Sequence, residues 1–187
     1  MIRKIFFAVV IMSPVLVFAG DTTLNLYRPF TETTKHVPVT IESTQKGYCK
    51  QQSERIKRED AWHCVSEGGV IHDPCFSKRF GSNNRVVCPQ SPWIGKSVQL
   101  TLDKPLDDHD MVPLDMSRTL PWAIELKNGE HCLSVAPHQT SDGLTVNYQC
   151  RNGSELVGDA HRCSPVWTIL RQDSSVISMV ELSGVWF

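Results

Sequence analysis

The chain has 187 residues, 41% of them hydrophobic, and a formal charge of −1 at pH 7. Near-neutrality excludes a protein that holds nucleic acid or a membrane surface by bulk charge. The length suits one domain with its own core better than two.

The chain opens with Arg3 and Lys4, then a 14-residue apolar stretch from Ile5 to Phe18, then Ala19 and Gly20. This is the pattern of a cleaved secretory signal over residues 1–19, and the apolar stretch is short of the roughly 20 residues that span a bilayer. Export to the periplasm or beyond is expected, with no membrane insertion. Removing the segment leaves 17 basic against 20 acidic side chains.

Residues 20–46 read as a Thr-rich, loosely attached extension with β-like runs at Thr23 to Leu26 and Val39 to Glu42. From Lys50 to Asp60 only Ile56 interrupts a polar run, which predicts an exposed loop or short helix. Beyond it the chain alternates as half-buried strands do: Val98, Leu100, Leu102; Trp122, Ile124, Leu126; Val146, Tyr148, Cys150. Asn128-Gly129, Asp142-Gly143 and Asn152-Gly153 supply tight hairpin turns, with a looser one from Gln172 to Ser175. Asn152-Gly153-Ser154 also fits a glycosylation sequon, but the hairpin already accounts for Asn-Gly. Residues 47–187 are therefore expected to form a single all-β domain, an antiparallel barrel or sandwich stapled by disulfides, with 121–187 as a meander.

All seven cysteines follow residue 48, and an oxidising compartment would pair six. Connectivity is not fixed by sequence alone. Pairing neighbours in order gives Cys49 with Cys64, Cys75 with Cys88 and Cys132 with Cys150, at about 3 kcal/mol each from loop entropy. Cys163 is left as a free thiol. His161 lies two residues before it, on the same face of a strand, a start for a metal site without a matching second pair. A link between two chains through Cys163 is the other use for it.

Candidate chemistry is sparse. Lys78, Arg79 and Arg85 make a basic loop, while Asp107, Asp108, His109 and Asp110 make an acidic one without the oxygen spacing of a calcium loop. There is no Gly-x-Ser-x-Gly elbow and no cysteine-protease signature. No catalytic residue, metal ligand or cofactor is assigned. Trp93, Trp122 and Trp167 each follow or adjoin proline at a strand start, and together at one end of a barrel they would offer aromatic faces to a sugar or a partner side chain. The terminal Phe187 is shared with outer-membrane barrels, but Glu181 and Ser183 would fall on the lipid face.

Several motifs converge in order: Asp60-Ala61-Trp62-His63-Cys64, Ile71-His72-Asp73-Pro74-Cys75-Phe76, Val87-Cys88-Pro89, Pro121-Trp122-Ala123, Asn147-Tyr148-Gln149-Cys150, and Gly158-Asp159 with Arg162. The succession over about residues 47–187 resembles an uncharacterised, disulfide-containing domain of exported bacterial proteins, common in actinobacteria. The resemblance implies six paired cysteines from Cys49 to Cys150, with Cys163 extra, and it implies no activity. It places Asp73, Asp159 and Arg162 in motif positions, where they could form a cleft ion pair. The Tyr148-x-Cys150-x-x-Gly153 hairpin is also similar to that of small β-barrel lysozyme inhibitors, whose serine-glycine inhibitory loop is missing here.

The function expected from these residues is a non-catalytic, monomeric binding module for a glycan or protein of the cell envelope or host. The alternatives are an inhibitor of a cell-wall hydrolase, or a secreted hydrolase or metal enzyme using Asp108, His109, Asp73 or Asp159.

Overall fold

Among the described residues, the chain forms twelve strands and no helix. The computed structural model describes residues 20–30, 37–78, 84–107, 109–141, 143–174 and 176–187. The signal segment 1–19, Arg79, Asp108, Asp142 and Ser175 lie outside the described residues.

β2 (Thr40–Gln52), β3 (Ala61–Ser66), β4 (Ile71–Ser77), β5 (Arg85–Ser91) and β6 (Ile94–Leu102) close into one barrel. β7 (Ala123–Leu126), β8 (His131–Ser141), β9 (Leu144–Cys150), β10 (Glu155–His161), β11 (Thr168–Asp173) and β12 (Val176–Trp186) form a second ring, closed where β12 pairs with β7. β1 (Thr23–Asn25) adds to β12 in parallel. The disulfide-stapled all-β class is as expected, but the strands close two barrels where one barrel or sandwich was anticipated. Closure removes the unpaired edges that an open sheet would leave. The fold is also not purely antiparallel. In an up-and-down ring of five strands the first and last run the same way, so β2 and β6 must meet in parallel; the ring of six closes antiparallel.

The three disulfides are Cys49–Cys64, Cys75–Cys88 and Cys132–Cys150, and Cys163 is free and exposed. Each bridges adjacent strands: β2 to β3, β4 to β5, and β8 to β9. The sulfurs of Cys64, Cys75 and Cys88 fill the first barrel beside Trp62, Val86, Leu100 and Leu102.

The second barrel's core does not stop at its wall. Trp122, Ile124, Leu126, Leu156, Ile169, Leu182 and Phe187 pack on with Tyr27, Ile56, Ala61 and Phe76 in one buried cluster. Tyr27, Phe76 and Trp122 form its aromatic hinge, with ring centroids 5.3 to 5.9 Å apart. The N-terminal extension is thus woven in: Tyr27 is buried, and Thr40 to Lys46 pair with β6, so residue 47 falls inside β2.

The polar segment after β2 departs most from expectation. Residues 53–60 are neither an exposed loop nor a helix, because Ser53, Ile56 and Arg58 are buried between the barrels. Ser53 Oγ accepts from the Arg55 and Ile56 amides. Arg58 donates to the carbonyls of Tyr27 (2.7 Å) and Phe187 (2.9 Å) and pairs with Asp60. The segment meets its polar needs within the protein, and so acts as a strut.

Candidate functional site in the seam between the barrels

The three tryptophans do not gather at one barrel end. Trp122 is 1% exposed in the shared core, out of a ligand's reach. Trp167 packs half-buried beneath the Arg162 guanidinium, 4.9 Å from its ring centre. Arg162 in turn donates to the carbonyls of Met116, Ser117 and Thr119, so its donors clamp a loop. No ion pair joins Asp73, Asp159 and Arg162 among the described residues. Asp159 is exposed beside Gly158, whose positive φ of 66° bends β10, and Asp73 pairs with His63. His109 and Asp110 stand on an open loop; His161 is exposed at the end of β10 and Cys163 on the loop that follows it. Asp159 therefore does not share the cleft of Asp73, and Asp108 lies outside the described residues.

Trp93 lies elsewhere, where the β5–β6 hairpin meets β8 and β9. Its ring stacks on His131 at 4.0 Å and 6°, and meets Trp186 edge-on at 4.9 Å. Its Nε1 is buried and has no hydrogen-bond partner among the described residues. Trp93 and His131 line a hollow of about 310 Å³ with Gln90, Leu133, Gln149 and Arg151.

Gln90 also borders a second hollow of about 400 Å³, walled by Glu54, Arg55, His63, His72 and Asp73 on one side and by Ala136 and Pro137 on the other. Glu54 and Arg55 border a third, of about 220 Å³, together with Arg118, His138 and Asn147. Shared lining residues place the three side by side along the seam between the barrels. The first barrel and the strut form one wall, and β8 with β9 forms the other. Of seven histidines, His63, His72, His131 and His138 line it. A separate hollow of about 280 Å³ around Arg28, Phe30 and Lys78 opens at the edge of the described residues.

The middle of the seam carries its densest polar network. Asp73 accepts from Ser53 Oγ, from the Glu54 amide at 2.9 Å and from His63 Nδ1 at 3.0 Å. The β3–β4 register shifts between Trp62 and Cys64, and this bulge sets His63 against Asp73. Ser53, His63 and Asp73 are triad residue types in a non-triad order. Ser53 is wholly buried and its hydroxyl goes to the carboxylate, so the imidazole cannot activate it as a nucleophile. His72 Nε2 is buried without a partner, and burial pushes the His72 pKa down, favouring neutral imidazole.

Glu54, His63, His72 and His131 were not singled out as site residues from sequence. His63 and His72 lay inside motifs noted for their cysteines, and only the bulged pairing of β3 with β4 reveals that His63 meets Asp73. Glu54 was hidden in a run read as solvated. Compared with known proteins, the chain matches no protein-family profile, no curated protein and no solved structure.

Proposed function

We propose that this protein is an exported, non-catalytic binding module that lays an envelope glycan along the seam between its barrels. Three disulfides suit an oxidising, extracytoplasmic compartment, and among the described residues no helix is long and apolar enough to cross a membrane. The observation that carries the reading is the seam itself: three adjoining hollows with an aromatic platform at one end and amide, imidazole, carboxylate and guanidinium groups along their walls. Sugars offer apolar ring faces to aromatics and hydroxyls to such groups.

The test is calorimetric titration of the mature protein with soluble peptidoglycan oligosaccharides. Saturable binding is expected, weakened about tenfold, or about 1.4 kcal/mol, in Trp93→Ala and in the exposed-site variant Gln90→Ala. Absence of binding to any envelope glycan would overturn the reading. Inhibition of a lysozyme at equimolar protein, without glycan binding, would place the protein among hydrolase inhibitors instead.

A further inference from the structure

We infer that Glu54, His63 and Asp73 form a site for a divalent transition-metal ion, zinc or manganese, in the middle of the seam. The three side chains come from the strut, β3 and β4, and one ligand atom of each lies within 4.8 Å of the other two. A tetrahedral ion with bonds of 2.0 to 2.2 Å holds its donors about 3.4 Å apart. His63 Nδ1 and Asp73 Oδ2 stand 3.0 Å apart, so an ion replacing the shared proton needs only a small widening of that pair. One imidazole with two carboxylates is a borderline-to-hard donor set, which suits zinc or manganese and disfavours copper(I).

The surroundings match those of a held site. Asp73 is oriented by the buried Ser53 hydroxyl and by the Glu54 amide, the kind of outer support that fixes metal-ligating carboxylates. Glu54 is exposed, and among the described residues its carboxylate accepts only from Gln51, at 2.9 Å, so it can turn to complete the site. Arg55 lines the same cleft yet forms no ion pair with either carboxylate among the described residues. His72 lines the same cleft but stands outside this group of three donors, and its buried Nε2 has no hydrogen-bond partner among the described residues. With three protein donors the ion keeps a position for water or for an oxygen of a groove ligand.

The inference does not depend on the glycan reading, because the titration uses the metal alone. Mature protein carrying Cys163→Ser, which removes the exposed thiol as a competing ligand, is stripped with chelator and dialysed against zinc or manganese chloride. One ion per chain is expected, with affinity falling about tenfold or more in Glu54→Gln and in His63→Gln and unchanged in the exposed-loop variant Asp110→Asn. Glu54 is exposed, so its variant should keep the wild-type circular dichroism and cannot lose binding by unfolding. Cobalt substitution gives a second readout, visible absorption that His63→Gln should abolish. No stoichiometric binding at about 100 μM free ion, corresponding to less than about 5.5 kcal/mol of affinity, or equal binding in both ligand variants, would overturn the site.

Discussion

Tyr148 carries its hydroxyl into the second barrel's core and donates to the Pro121 carbonyl at 2.8 Å. Burial raises its pKa far above the ordinary value of 10.0, with a smaller opposing pull from Arg162, and burial pushes that of Tyr27 up to about 12. Both phenols stay protonated in the fold while the unfolded chain ionises near pH 10, so their contribution is complete below that pH and drains away as pH rises toward 12. Urea melts at stepped pH should show stability falling above pH 10, and a shallower fall in Tyr148→Phe. Arg58 works at the same scale. Replacing it with methionine leaves Asp60 without its cation and removes a donor from the carbonyls of Tyr27 and Phe187, the latter keeping the Tyr27 amide, and is expected to cost about 3 to 5 kcal/mol, read as a lowered urea midpoint. The alternation of Val146, Tyr148 and Cys150 made the buried face of β9 legible, whereas no sequence rule shows that Arg58 is buried. A polar run that satisfies itself inside the protein has the same composition as one that meets water.

At the scale of the element, β2 is the member that ties the first barrel together. It pairs antiparallel with β3 and parallel with β6, and Gly47 sits where an added Cβ would fall 2.5 Å from the Val65 carbonyl oxygen. Gly47→Ala should destabilise the protein by about 1 to 3 kcal/mol, measured by thermal melting, because backbone rather than a flexible side chain must give way. The hairpins were readable: Gly129 and Gly153 take the positive φ angles, 82° and 89°, that Asn-Gly turns demand. The cysteine pairs were readable for a related reason, since cysteines near in sequence on consecutive strands face each other once the hairpin closes. The β3–β4 bulge that assembles His63 with Asp73 left no such mark. Register shifts depend on packing between strands, and only the histidine and aspartate themselves hinted at chemistry there.

At the scale of the whole molecule, the all-β class followed from alternation, but the number of barrels did not. It rests on which strands close on which, and on Tyr27, Ile56 and Phe76 extending the second barrel's core across the junction. Each disulfide staples neighbours within a single barrel, so none ties the two together. The strut and the aromatic hinge do that work. Native protein should titrate one thiol with a disulfide-exchange reagent, from the exposed Cys163, and the same count should persist in denaturant without reductant. Removing Cys132–Cys150 by paired serine substitutions is expected to cost about 3 kcal/mol and to melt the second barrel first. Because the candidate site is the junction, weakening the strut should impair ligand binding as well as stability.

The central claim is that the seam between the barrels is where the ligand lies. Heteronuclear NMR of the labelled mature protein during titration with a peptidoglycan oligosaccharide tests it most directly. The account predicts that the Trp93 indole N–H and the amides of Gln90, His131, Gln149 and His63 shift together and saturate together. Shifts confined to the outer faces of β10 to β12, or to the loop of His109 and Asp110, with the seam unmoved, would contradict it.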